Sequence, residues 1–287
     1  MTTVVRLGGY ATVLAVAFGV AFGVGSAVGE PPATVPGTGH TAAGHATDGR
    51  PAATDGLAAT SAGYTLVPAT DTLTPGEPGG YAFTVTGPDG APVTAFDVAH
   101  DRPLHLVVVR RDAAGFQHLH PELGPGGVWR VPLTLPAGGV YRVYADFTPV
   151  GGPPLVLGTD LFAPGDFTPL PSTPSRVAGV DRYQVRLDGD LVPGTESAVF
   201  ATVSLDGAPV TDLEPHLGAF GHLVAIRRSD LAYVHVHPDA PAPAATDRSG
   251  PGVPFVAEVP SAGGYRLFLD FRHGGVVRTA EFTVDVG

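Results

Sequence analysis

The sequence predicts an all-β protein built as two tandem antiparallel β-sandwiches after one N-terminal apolar helix. Three observations carry that reading. Gly 40 and Pro 30 make about a quarter of the 287 residues, which disfavours long helices and favours short strands joined by tight turns. A long segment of the chain occurs twice. Within each copy, apolar runs such as Tyr81 to Thr86, Leu104 to Val109, Val128 to Leu135 and Val140 to Phe147 alternate with turn signals, the spacing of a sandwich of about seven strands.

From Leu7 to Val28 no residue is charged, and a helix of that length, about 33 Å, crosses a hydrocarbon core of about 30 Å. Residues 1–29 are therefore expected to be a transmembrane anchor or signal segment. Arg6 before it and Glu30 after it place the N-terminus in the cytoplasm and the remainder outside. The expected location is the cell membrane, single-pass with extracytoplasmic C-terminal domains; secretion after cleavage near the small residues Gly25 and Ala27 is the alternative. Residues 30–61 are rich in Ala, Thr, Gly and Pro without apolar periodicity and read as a flexible linker, in which His40 and His45 are solvated.

The repeat is anchored by Asp89-Gly-Ala-Pro-Val-Thr94, which recurs as Asp206-Gly-Ala-Pro-Val-Thr211, an offset of 117 residues. The same offset carries His105 to His222, His118 to His235, His120 to His237 and Pro121 to Pro238. Further on, Tyr141, Arg142, Asp146 and Phe147 recur as Tyr265, Arg266, Asp270 and Phe271, now 124 apart. The extra residues fall in the Pro- and Ala-rich stretch from Asp239 to Gly252, where a longer surface loop holds them. The expected organisation is repeat 1 over 62–164, a Pro-rich linker over 165–179, and repeat 2 over 180–287. At about 100 residues each, the repeats fit an immunoglobulin-like or a cupredoxin-like sandwich.

Composition removes several function classes. With no Cys there is no disulfide scaffold, thiolate metal site or thiol nucleophile. A net charge of −11, with no basic run, argues against nucleic acid as a partner, because phosphate neutralisation supplies that affinity.

Eight of the 11 histidines fall into two groups, His100, His105, His118, His120 and His216, His222, His235, His237. Residues two apart on a strand share a face, so His118 and His120 turn toward one point, as do His235 and His237. A hairpin centred on Asp112-Ala113 sets His105 opposite His120, and one centred on Ser229-Asp230 sets His222 opposite His237, at about 5 Å between Cβ atoms. Each repeat thus gathers three imidazoles, with His100 and His216 as candidate fourth ligands. Neutral imidazole suits a transition metal ion; outside the reducing cytosol Cu(II) is the first choice and Zn(II) the second. Asp146 and Asp270 either orient an imidazole or are turn or surface carboxylates.

No catalytic residues are expected. His-x-His followed by Glu122 has the wrong carboxylate spacing for a cupin, and neither a Ser-His-Asp arrangement nor a phosphate-cradling loop is evident. The competing reading is a non-catalytic structural or protein-interaction module whose histidines hold their own loops, with an unidentified envelope protein as partner.

The motifs His-Leu-Val-Val-Val-Arg-Arg at 105–111, Phe-Gln-His-Leu-His-Pro at 116–121, Gly-Ala-Phe-Gly-His-Leu-Val at 218–224 and Tyr-Arg-Leu-Phe-Leu-Asp-Phe at 265–271 resemble a group of exported or membrane-anchored bacterial proteins described as secreted or heavy-metal-binding. The resemblance spans about 62–287 and the N-terminal apolar segment, and it implies an extracytoplasmic, metal-related role. The plan is also similar to small copper-handling β-sandwiches of the bacterial envelope, whose Met-rich or amino-terminal histidine ligands this chain lacks.

Overall fold

The computed structural model describes residues 55–234 and 236–287. The expected anchor and most of the expected linker lie outside these residues, as does His235. Repeat 1 holds β1 (Thr60–Ser61), β2 (Tyr64–Pro68), β3 (Gly79–Thr86), β4 (Leu104–Arg110), β5 (Gln117–Leu119), β6 (Glu122–Leu123), β7 (Val128–Leu133), β8 (Gly139–Phe147) and β9 (Leu155–Ala163). Repeat 2 holds β10 (Val177–Val180), β11 (Tyr183–Asp188), β12 (Glu196–Leu205), β13 (Ala208–Pro209), β14 (His222–Arg227), β15 (Tyr233–Val234), β16 (Val236–Pro238), β17 (Gly252–Glu258), β18 (Gly263–His273) and β19 (Val276–Val286). Repeat 2 thus opens with a strand at Val177, inside the stretch expected to be linker.

Each repeat is a two-sheet sandwich. In repeat 1 the sheets run β1-β2-β3-β7-β6 and β5-β4-β8-β9; in repeat 2 they run β10-β11-β12-β17-β16, with β13 on β12, and β15-β14-β18-β19. This is the strand order of an immunoglobulin-like sandwich, four strands of the A-B-E-D kind facing a C-F-G sheet extended by one edge strand. Both repeats also carry a tyrosine corner: Tyr141 Oη donates to the Ala137 carbonyl at 2.8 Å, and Tyr265 Oη to that of Ser261 at 2.8 Å. That device at the start of the F strand belongs to the immunoglobulin-like class. The sequence left immunoglobulin-like and cupredoxin-like topologies open, and strand order decides for the first.

The two sheets of a repeat bury different patterns. On β3 the side chains alternate, with Tyr81, Phe83 and Val85 turned inward, because one face of that sheet meets the core and the other meets solvent. On β4 all seven residues are buried. Leu104, Leu106 and Val108 enter the core of repeat 1. Val107 and Val109, on the opposite face, join Tyr144, Val224, Ile226 and Phe268 in a separate cluster drawn from both repeats. The C-F-G sheets therefore pack back to back, and the apolar seam between them makes one body of the two sandwiches, within a compact unit over 51–287.

The repeated Asp-Gly turn differs between the copies: in repeat 1 only Gly90 of the pair is at positive φ, and the turn closes from Gly87 to Ala91. Asp206 and Gly207, both at positive φ, join β12 to β13 in a two-residue hairpin, the backbone that Asp-Gly favours.

Candidate functional site

The His-x-His segments sit where the chain changes sheets. β5 pairs with β4, and β6, a few residues on, pairs with β7; likewise β15 pairs with β14 and β16 with β17. The crossing spans His118 and His120 in repeat 1, and in repeat 2 it sets His237 on β16. The register on β4 pairs Val107 with His118 and Leu106 with Leu119, so the next step brings His105 to His120, whose ring centroids lie 5.2 Å apart. His118 shares a face with Val107 and therefore looks into the seam.

Within repeat 1, three rings converge. The centroids of His105 and His118 are 5.2 Å apart and those of His118 and His120 are 4.9 Å apart. One nitrogen from each of His105, His118 and His120 falls within 4.8 Å of the others, the one such group of three or more among the described residues. Tetrahedral coordination at 2.0–2.1 Å sets ligand nitrogens about 3.4 Å apart, so small side-chain rotations suffice to enclose an ion.

Proton accounting sharpens this geometry. His105 Nε2 lies 3.0 Å from the Ala99 carbonyl, which can only accept, so the proton of the neutral ring is on Nε2 and Nδ1 carries a lone pair. His118 Nδ1 lies 2.8 Å from Asp270 Oδ2, again an acceptor, so Nδ1 of His118 is protonated. That leaves His118 Nε2 facing His105 Nδ1 at 3.0 Å, two lone pairs pointed at each other unless a cation lies between them. The cation is either a proton, making His118 an imidazolium, or a metal ion. His120 Nε2 is buried without a hydrogen-bond partner among the described residues, and one nitrogen of this ring is the third of the group.

Burial disfavours the charged form of five of the rings. It pushes His105 and His120 down to about 3, with the neighbouring histidines adding to the shift. His222 is pushed down to about 4 for the same reason, and His100 and His216 are lowered by burial as well. Asp146 is pushed up to about 6 by burial, against the pull of His118, His100 and His237.

Repeat 2 copies part of the arrangement. His222 Nε2 donates to the His216 carbonyl at 2.8 Å, as His105 does to Ala99. The turns that supply these carbonyls close with Ala99 to Arg102 and with His216 to Ala219. His100 thus occupies the second place of its turn and His216 the first, so they are not structural counterparts although the sequence paired them. Neither joins the repeat 1 triad. The His100 ring lies 5.3 Å from that of His222 across the seam, and the His216 ring lies 6.4 Å from that of His120. His237 pairs with Val256 on the outer sheet and influences Asp146 and His100. Members of the two groups, read separately from sequence, meet across one seam: His100 and His118 face His222, and His120 faces His216.

Asp146 and Asp270 are neither turn nor surface residues. They lie on β8 and β18, directly opposite His105 and His222 respectively. Sequence reasoning missed that Asp270 serves the other repeat; the available signal was the apolar outward face of β4, which demands a covering surface.

The sequence matches a domain of unknown function, DUF8832, over residues 59–156 and again over 178–287. The chain belongs to that family. No curated protein matches it by sequence. Among solved structures, it is similar to the Escherichia coli adhesin FdeC, with 14% identity and a TM-score of 0.26 over 79% of this chain and 65% of the other. Similar too are the Yersinia pseudotuberculosis adhesin InvE, with 12% identity and a TM-score of 0.23 over 77% and 58%, and invasin, a bacterial integrin-binding protein, with 14% identity and a TM-score of 0.23 over 78% and 39%. This chain thus spans less than two thirds of those proteins.

Proposed function

We propose that this DUF8832 protein binds a transition metal ion, Cu(II) or Zn(II), through His105, His118 and His120. It would act outside the cytoplasm, tethered by its N-terminal segment or released by cleavage, to buffer the ion or hand it on. The observation that carries the reading is the 3.0 Å approach of His105 Nδ1 to His118 Nε2 in rings whose other nitrogens are committed to acceptors. Three imidazoles gathered on one point are a metal's donor set, and the carboxylate behind His118 supplies the carboxylate–histidine arrangement common to such sites. His222, His235 and His237 are the proposed donor set of the second repeat, with His216 as its fourth-ligand candidate and His100 as that of the first. No side chain is assigned a catalytic role.

The second reading is an interaction or spacer module with structural histidines. It is favoured by the bonds from His105 and His222 to the carbonyls of their own turns, and under it His118 is an imidazolium held between Asp270 and His105. Titration of the full chain with Cu(II) and with Zn(II) separates the two. Tight binding that is lost in the His118→Ala/His120→Ala double variant supports the metal site. A chain that binds neither ion, or whose binding survives the substitutions, supports the module.

A further inference from the structure

The hydrogen bond that fixes His118 crosses from one repeat to the other. His118 belongs to β5, a three-residue edge strand of repeat 1. Its partner Asp270 lies on β18 of repeat 2, held between β14 and β19. The bond is 2.8 Å long and both side chains are only 7% exposed. The second carboxylate oxygen, Asp270 Oδ1, accepts from Thr279 Oγ1 at 2.5 Å, so the orientation of Asp270 is set by repeat 2's own sheet. The carboxylate of repeat 1 at the equivalent position, Asp146, lies opposite His105 on β4, while the proton of His118 Nδ1 goes to Asp270.

We propose that repeat 2 completes the histidine triad of repeat 1: Asp270 is a positioning residue that holds His118 with its Nε2 lone pair on the ligand point, so that metal binding and docking of the two sandwiches are one linked equilibrium. The proposal rests on the metal-binding reading above. Its basis is chemical. A histidine presents Nε2 as a ligand only while its proton sits on Nδ1, and an acceptor on Nδ1 is what keeps it there. Because the acceptor arrives only with the docked partner sheet, undocking frees the ring to rotate and to exchange tautomers. Linkage is reciprocal: whatever factor Asp270 contributes to metal affinity, the bound ion returns to the docked state of the seam.

The test uses the full chain and its Zn(II) and Cu(II) affinities by competition with a chelator of known affinity. Asp270→Ala is expected to weaken binding about tenfold to a hundredfold, the range for loss of an acceptor behind a ligating histidine. Asp270→Asn keeps an acceptor oxygen and is expected to lose less. Ile226→Ala thins the seam cluster without touching the triad, and it too is expected to weaken binding. The Nδ1 proton of His118, observed by NMR of the imidazole, is expected in the wild type and in Asp270→Asn and to be lost in Asp270→Ala, while circular dichroism verifies that each variant is folded. Wild-type binding with unchanged affinities in Asp270→Ala and Ile226→Ala would overturn the linkage and leave the metal site standing. A wild type that binds neither ion would remove both.

Discussion

Phe116 lies flat on Phe268, with centroids 4.0 Å apart and planes 5° from parallel. The corresponding pair, Tyr144 on Tyr233, meets at 5.4 Å. Positions 116 and 233 are counterparts in the repeat, as are 144 and 268, so the seam is reciprocal: each repeat offers the other the same two positions. This is the contact pattern of a two-fold dimer interface, realised within one chain.

Because Phe268 is fully buried in the seam, Phe268→Ala is expected to destabilise the protein by about 3–5 kcal/mol through lost transfer energy and an unfilled cavity. Chemical denaturation of the two chains side by side measures the difference. A change below about 1 kcal/mol would mean that the seam contributes little to the fold.

The tyrosine corners make separate predictions for the two sandwiches. Tyr141→Phe and Tyr265→Phe each remove a hydroxyl whose acceptor, the carbonyl of Ala137 or Ser261, loses its partner. Each is expected to cost about 1–2 kcal/mol. Their effects are expected to add, because the two corners lie in different cores.

His118 and His120 are expected to move apo stability in opposite directions. His118→Ala leaves the Asp270 carboxylate buried without its cross-repeat donor, at a cost of about 3 kcal/mol. His120→Leu removes a buried nitrogen that has no partner and is expected to stabilise the apo protein by about 1 kcal/mol. Both variants are expected to lose metal binding. Melting curves with and without added Zn(II) read both effects in one experiment.

Stability is expected to fall in mild acid. His105, His120 and His222 have folded values pushed below the ordinary 6.5, to about 3, 3 and 4. Between those values and 6.5 the unfolded chain binds more protons, so the stability these rings confer is complete above pH 6.5 and is lost as pH drops toward about 3. Asp146 works the other way. Its value, pushed up to about 6, adds stability below the ordinary carboxylate range that is lost as pH rises through 6. With three groups against one, and the partly exposed His120 discounted for screening, the net loss from pH 6.5 to 5 is on the order of 2 kcal/mol. Denaturant midpoints across that range, in the presence of a chelator, check the sign.

The hairpin that joins His105 to His118 was legible because its register follows from local arithmetic: thirteen residues and a turn that closes at Arg110 and Ala114. The tyrosines at 141 and 265 were visible as strand aromatics, but their hydroxyl bonds, which identify the topology, depend on turns four residues upstream. The bond from His118 to Asp270 spans 152 residues, and no local pattern encodes it. What the sequence did carry was the uninterrupted run Leu104 to Val109, apolar on both faces apart from His105, which demands a covering layer without naming it. The mismatch of His100 with His216 has a simple cause. The turns align by backbone shape, with positive φ at His100 and Asp101 and at Leu217 and Gly218, and backbone shape is silent about which of its places bears an imidazole.

Carrying both halves of the seam on one chain frees it from self-complementarity. In an assembly of identical subunits, any change at an interface position is made twice, and the two ends of the interface stay alike. Here position 144 is Tyr and its counterpart 268 is Phe, so a hydroxyl reaches the Leu231 carbonyl at 2.5 Å at one end, while the other end stacks two bare phenyl rings. Each end can thus be tuned by single substitutions, and the molecule keeps the economy of a symmetric contact while its two histidine groups are at liberty to differ.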